Sequence, residues 1–354
     1  MTMPQDRALR IATYNVEWFT ELFDDAGGFL NDNSPSVRHQ TSKAQQFAAI
    51  GAVVQALDAD ALLIVEGPDH SETRSAPAAL ENFARHFDLR ARRALVGFPS
   101  HTRQEIALLY DPDLMTAQHA PMGQADSAAA APRFDFAYSY DLDGDADVEN
   151  IGFSKPPLEA VLTLANGQTL RLIGVHTKSK APRHTRGPAE FVAQSIQNRR
   201  KQLAECFWIR GRVDEVLAQN TPLIVLGDFN DGPGLDEYEQ MFGYSSVEVV
   251  MGQTAPDRPQ LFDPHAHKSA RLGDKMPVTS RFYLPDEAGY FEALLDFIMV
   301  SPDLAAAAPK WRIWHPLHAP EITARPDLVA ALLAASDHFP VSIDINLPLP
   351  RARA

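Results

Sequence analysis

Several polar residues stand where apolar runs end, and their types suit phosphate-ester chemistry. Ile11-Ala12-Thr13-Tyr14 leads into Asn15, and Leu62-Leu63-Ile64-Val65 stops at Glu66. Leu172-Ile173-Gly174-Val175 ends at His176, and Leu223-Ile224-Val225-Leu226-Gly227 ends at Asp228, with Asn230 two residues on. Leu294-Leu295 runs into Asp296, and Ser336-Asp337-His338 opens the last apolar run. Each residue alone has an ordinary explanation as a strand end, a turn or a cap. A carboxylate inside an apolar stretch, as at Asp296, is harder to dismiss because a lone buried charge is costly. Together the set has a chemical purpose. Carboxylate and amide oxygens are hard ligands that suit magnesium, manganese or calcium. Asp228 and Asn230, two apart, can point the same way from a strand end. One can take a proton from water while the other holds that water or a phosphate oxygen. A histidine beside a carboxylate keeps its proton and can donate to charge developing on a phosphoryl oxygen.

The elements that must position these residues follow from periodicity. Strands are expected at residues 9–15, 61–66, 106–110, 158–164, 170–176, 223–228, 293–300 and 341–345, each short, apolar or alternating, and bounded by polar or turn residues. Residues 42–57 read as an amphipathic helix, and 189–218 is the longest helical stretch. Ala165-Asn166-Gly167-Gln168 is a hairpin signal between two of the strands. Apolar strands interleaved with helices, some paired antiparallel, suit mixed sheets with helices outside. Residues 124–150 break the rhythm, with an alanine run and then Asp141, Asp143, Asp145, Asp147 and Glu149. The glycine spacing is wrong for a calcium loop, so the expectation is a solvated acidic surface insertion.

At these residues the chain resembles the endonuclease/exonuclease/phosphatase superfamily, whose deoxyribonuclease I-like members hydrolyse phosphate esters. The segments are TYNVEWF from Thr13, LLIVEGPD from Leu62, IGVHTKSK from Ile173, LIVLGDFNDGPG from Leu223, LDFIMVS from Leu295 and SDHFPV from Ser336, in the family's order. GDFN followed much later by SDH is the specific combination. The flanks of Glu66 depart from the family's usual acidic motif. The resemblance implies one catalytic domain over residues 8–347, folded as a four-layer α/β sandwich of two packed mixed sheets flanked by helices. It implies a divalent metal, magnesium first, with manganese or calcium as alternatives. Glu66, Asn15 and Asp337 would serve the metal. Asp228 would activate water, and Asn230 would position it and the phosphate. Asp296 would hold a protonated His338, and His176 would assist the leaving group, with Glu105 as a buttress.

Lys178 and Lys180 follow directly on the His176 strand, two apart, and are expected to meet the substrate phosphate. The implied activity is a phosphodiesterase or nuclease working by in-line water attack. The alternatives are a phosphomonoesterase, a sphingomyelinase-like phospholipid hydrolase and a catalytically silent phosphate-binding protein. Composition sets limits on partners. With 32 basic and 46 acidic residues the net charge is −14, which disfavours non-specific binding to duplex DNA, although nucleic acid stays among the candidate substrates. A single cysteine, Cys206, excludes an intramolecular disulfide and a cysteine zinc site. The polar N-terminus and the absence of a long apolar run predict a cytoplasmic protein without a membrane span. No Gly-x-Ser-x-Gly elbow occurs. The pairs His265/His267 and His315/His318 lie in Pro-rich stretches and are read as structural.

Overall fold

The computed structural model describes residues 8–30, 32–125, 131–141, 149–182, 185–234, 237–255, 257–267 and 276–347. The strands are β1 (Leu9–Asn15), β2 (Ala61–Gly67), β3 (Arg93–Val96), β4 (Glu105–Tyr110), β5 (Met115–His119), β6 (Tyr138–Tyr140), β7 (Glu149–Ile151) and β8 (Leu158–Leu164). Beyond them lie β9 (Thr169–His176), β10 (Leu223–Asp228), β11 (Ser280–Leu284), β12 (Gly289–Ala293), β13 (Asp296–Val300), β14 (Lys310–Ile313) and β15 (Val341–Ile345). The helices are α1 (Lys43–Leu57), α2 (Ala76–His86), α3 (Pro188–Ala218), α4 (Glu237–Phe242), α5 (Ser246–Met251), α6 (Pro302–Ala306), α7 (Pro320–Thr323) and α8 (Pro326–Ala335).

Two mixed sheets carry the architecture. One runs β14-β15-β1-β2-β4-β3 and the other β13-β10-β9-β8-β5. Strand alternation explains the layering, because successive side chains point to opposite faces. Ile11, Leu63 and Val65 of the first sheet meet Leu172, Ile224 and Leu226 of the second in a central core. The alternate residues Tyr14, Leu62 and Ile64 pack outward against Phe47, Phe83 and Leu332 of α1, α2 and α8. On the far side, Ile173, Val175 and Val225 pack against Leu203, Trp208 and Ile209 of α3 and Val250 of α5. The order is helix, sheet, sheet, helix, as the resemblance implied.

The local signals behave as their chemistry requires. Ser42 caps α1 in a capping box with Gln45. The Asn166-Gly167 turn, with Gly167 at φ 84°, joins β8 to β9 antiparallel. One element differs from expectation. The run 293–300 is two strands, since β12 ends at Ala293 and β13 starts at Asp296 in a different sheet. Thr279 Oγ1 accepts from the backbone N–H groups of Leu295 and Asp296, at 2.9 and 3.0 Å, and holds the break. Within the stretch 124–150, β6 pairs with β7, Tyr138 stacks on Trp208 and Phe134 is buried against α3, while Asp135 and Glu149 are exposed. Asp143, Asp145 and Asp147 lie outside the described residues.

Candidate active site

The fold brings the strand-end residues together from four directions. β1 and β2 run parallel with Asn15 opposite Val65, one residue before Glu66. β9 and β10 run parallel with Asp228 opposite His176. β13 runs antiparallel to β10, so Asp296 at its start faces Asp228 at the other strand's end. His338 precedes β15, which is antiparallel to β1. One backbone detail is exacting. Gly227 has φ 136°, and a Cβ there would lie 2.1 Å from the Val175 carbonyl oxygen. Only glycine lets β10 approach β9 this closely beside Asp228 and His176.

Asp228 Oδ2 is the meeting point. Asn15 Nδ2 donates to it at 3.0 Å and Asn230 Nδ2 lies at 3.4 Å. His176 Nε2 is 3.6 Å away and His338 Nε2 3.9 Å. Its other oxygen accepts from the Asn230 N–H at 2.8 Å. Burial pushes the Asp228 carboxyl up to about 7, against the pull of His338. A carboxylate so tuned is a competent base near neutral pH. Asn230, at φ 50°, also donates to the Thr177 carbonyl at 3.0 Å.

The two histidines differ in charge. His338 Nδ1 sits 2.8 Å from Asp296 Oδ2. Burial opposes its protonation, but Asp296 and Asp228 outweigh burial and raise its pKa well above the ordinary value. His176 is driven the other way by burial and by the cations Lys155 and His338. Lys155 Nζ lies 3.0 Å from His176 Nε2, so the ammonium donates to a neutral ring whose Nδ1 has no hydrogen-bond partner. Glu105 does not buttress that ring. Its carboxylate accepts instead from the backbone N–H groups of His70 and Ser100, Oε1 at 3.3 and 3.2 Å and Oε2 at 3.0 Å from Ser100.

A second group of carboxylates lies beside Asn15. Glu66, in a bulge of β2 at φ 59°, accepts from the Trp18 N–H at 2.9 Å and lies 3.4 Å from Asn15 Nδ2. Glu17, at φ 48°, accepts from the Asp337 N–H at 3.0 Å and pairs with Arg38 at 3.5 Å. Burial, then repulsion from Asp337, pushes the Glu17 carboxyl up to about 7. Burial also raises Asp337, opposed by His338 and Arg38 and reinforced by Glu66. Glu17, Glu66, Asp228, Asp296 and Asp337 therefore face the cations Arg38, Lys155 and His338. That excess of negative charge suits a divalent cation nearby. Asp228, Asp296 and His338 bring donor atoms within 4.8 Å of one another, but there the proton on His338 already supplies the positive charge. Glu292, His315 and His318 form another such group. His315 Nδ1 is taken by the N–H groups of Leu317 and His318 at 3.1 and 3.2 Å, which leaves Nε2 protonated and unsuited to a metal.

The two lysines expected at the phosphate part company. Lys180 Nζ pairs with Asp231 Oδ1 at 2.6 Å. Lys178 lies close enough to Lys155 for their repulsion to help lower the Lys155 ammonium, after burial and against Glu66, Asp228 and Glu205. Glu17 and Lys155 were missed from sequence. Glu17 had a usable signal, being an acid two residues past Asn15, the same spacing as Asp228 and Asn230. Lys155, in Ser154-Lys155-Pro156-Pro157 ahead of β8, had none.

Comparison with known proteins places the chain. Among described residues, no helix is long and apolar enough to cross a membrane. A search of curated proteins found no match. Among solved structures, an AP endonuclease from Archaeoglobus fulgidus is similar, with TM-score 0.50 at 11% identity, covering 96% of this chain and 100% of that one. A TDP2 from Caenorhabditis elegans matches with TM-score 0.49 at 13% identity, covering 96% of this chain and 74% of that one. A mannosyl-6-phosphatase from Bacteroides thetaiotaomicron gives TM-score 0.49 at 14% identity, covering 96% and 100%. The model of the Endonuclease/Exonuclease/phosphatase family matches residues 12–338, from β1 to His338, and the chain belongs to that family of metal-dependent phosphoesterases.

Proposed function

We propose that the chain hydrolyses phosphodiesters, nucleic-acid or nucleotide esters among them, by in-line attack of water without a covalent intermediate. The observation that carries this reading is the convergence of Asn15, Asn230, His176 and His338 on one oxygen of Asp228. Asp228 takes the proton of the attacking water, and Asn15 and Asn230 orient the carboxylate and that water. His338, kept cationic by Asp296, stabilises negative charge on the phosphoryl oxygens. Lys155, with His176 as its partner, faces the same centre and supplies a second positive charge, with Lys178 beside it. A divalent cation held by Glu66, Glu17 and Asp337 would act as a Lewis acid on the phosphoryl group. Magnesium is the first choice for an all-oxygen donor set.

The test is turnover of a chromogenic phosphodiester with magnesium or manganese. Chelator should abolish it. Asp228→Asn should lower kcat by about 10²- to 10⁴-fold, the usual contribution of a general base, and His338→Gln by a similar factor. Undiminished turnover by Asp228→Asn overturns the assignment.

A further inference from the structure

Two glutamines buried in the outer helix layers reach the loops that carry the site. Gln202 of α3 is fully buried, and Gln46 of α1 keeps 1% of its surface in water. A buried amide needs partners for its N–H groups and its oxygen. Both side chains direct their N–H groups to backbone carbonyls at the loops, where a donor is owed to each. Gln202 Nε2 donates to the carbonyls of Lys178, Phe229 and Asn230, at 2.8, 3.2 and 3.1 Å. Its amide is held that way round, because Oε1 accepts from Arg199 at 3.0 Å and from the Ser246 hydroxyl at 3.2 Å, and a guanidinium only donates. One side chain thus ties the exit of β9 to the exit of β10. Gln46 does the same for the other half of the site. Its Nε2 donates to the carbonyls of Glu17, past β1, and of Ala335, the last residue of α8, at 3.2 and 3.1 Å.

The two glutamines grip residues of the same kind. Asn230 and Glu17 are both left-handed, at φ 50° and 48°, a conformation that a non-glycine residue keeps only where its surroundings impose it. Each aims its groups at the reaction centre from that conformation. The Asn230 N–H donates to Asp228 at 2.8 Å, and the Asn230 side-chain amide lies 3.4 Å from the same carboxylate. The Glu17 N–H donates to Asn15 Oδ1 at 3.1 Å, and the Glu17 carboxylate accepts from the Asp337 N–H at 3.0 Å. A left-handed residue that relaxed to negative φ would withdraw these contacts.

We propose that Gln202 and Gln46 are positioning residues, each holding one left-handed residue of the site in its working conformation. Their consequences are separate. Gln202 acts through Asn230 on the general base Asp228, whereas Gln46 acts through Glu17 on the carboxylates that would hold the cation. This rests on the phosphodiesterase reading and adds to it two side chains that touch neither substrate nor metal. Space-filling does not require the amide, since methionine fills an irregular gap of similar size without a strong donor.

The experiment replaces each glutamine with methionine in the full chain. It reads turnover of bis(4-nitrophenyl) phosphate with manganese, and calorimetric binding of manganese. The stoichiometry of manganese binding counts folded sites, so a loss of folded protein is not mistaken for a loss of kcat. Gln202→Met should lower kcat per site about 10- to 100-fold, the usual cost of removing an outer-shell partner, with KM and manganese affinity near the wild-type values. Gln46→Met should weaken manganese binding about 10- to 100-fold, with most of kcat regained at saturating manganese. Gln202→Asn and Gln46→Asn draw the same amide back by one methylene. They should show the same division at smaller size, and they decide the matter where a methionine variant does not fold. An undiminished kcat per site in Gln202→Met, or an equal loss of manganese affinity in both methionine variants, overturns the positioning roles. If the wild type hydrolyses no diester, the esterase reading fails and manganese binding alone decides the glutamines. Weakening in Gln46→Met but not in Gln202→Met then upholds them, and weakening in both or in neither overturns them.

Discussion

His338 holds its proton because two carboxylates flank it, Asp296 at 2.8 Å from Nδ1 and Asp228 at 3.9 Å from Nε2. His176, at a similar depth, is driven neutral by burial, and its nearest neighbour, the Lys155 ammonium, adds to burial where a carboxylate would oppose it. The same side-chain type thus does opposite work, and the sign is set by what lies next to each ring. A consequence for pH follows. The folded pKa of His338 is raised above its unfolded value, so its contribution to stability is complete below about 6.5 and is lost as pH rises through the folded pKa. Activity that needs the imidazolium fails in the same direction, on the alkaline side. Asp296→Asn removes the closest carboxylate charge, so the alkaline fall in kcat/KM should move to lower pH by a unit or more. The alkaline loss of thermal stability should move with it. A pH–rate profile whose alkaline limb is unmoved in Asp296→Asn would show that Asp296 does not hold the proton.

At the scale of elements, the site is a set of strand ends held in register by one well-anchored loop. The residues following β10 are fixed by Asp231, which is buried and pairs with Lys180 at 2.6 Å and with Arg199 at 2.5 Å. Its Oδ2 also accepts from the Ser246 N–H at 2.7 Å. Arg199 is fully buried on α3. Asp231→Ala should therefore cost about 3–5 kcal/mol in chemical denaturation, since it strands a buried guanidinium. Activity should fall as well, because Asn230 is adjacent. A loss below about 1 kcal/mol would mean that the pair only fills space. This anchor was not legible in the sequence, where Asp231-Gly232-Pro233-Gly234 reads as a turn and Lys180 as a phosphate ligand. The central strands were legible, because continuous apolar runs or apolar–polar alternation mark them; β1, β8, β10 and β15 fall where expected. The edge strands β3, β5 and β14 were not, being short and half-exposed. Nor was the break at Leu294-Leu295, because an apolar run does not record a change of sheet. The polar strand ends were legible for the converse reason, since a charged group held beside a core needs a purpose.

The whole molecule carries a surplus of negative charge, −14 overall, and concentrates part of it where Asp337 repels Glu17 and is itself repelled by Glu66. Burial and mutual repulsion raise Glu17 and Asp337, so without a cation the folded state is held at a disadvantage. Any cation that binds the folded form alone stabilises it by mass action, by about 2.7 kcal/mol at a hundred times its dissociation constant. Saturating magnesium or manganese should thus raise Tm by several degrees, while sodium at equal ionic strength should not. Glu17→Gln separates this cause from general screening. Removing one of the crowded carboxylates should raise the Tm of the metal-free protein, because a repulsive neighbour of Asp337 is gone. The same change should shrink the increment gained on adding metal, because a ligand is gone. A variant that gains the wild-type increment places the cation elsewhere. A variant that loses Tm in the metal-free form means that Glu17 works through its pairing with Arg38, at 3.5 Å, more than through its charge toward Asp337. The two measurements move in opposite directions only if fold stability and metal binding are drawn from the same cluster of carboxylates.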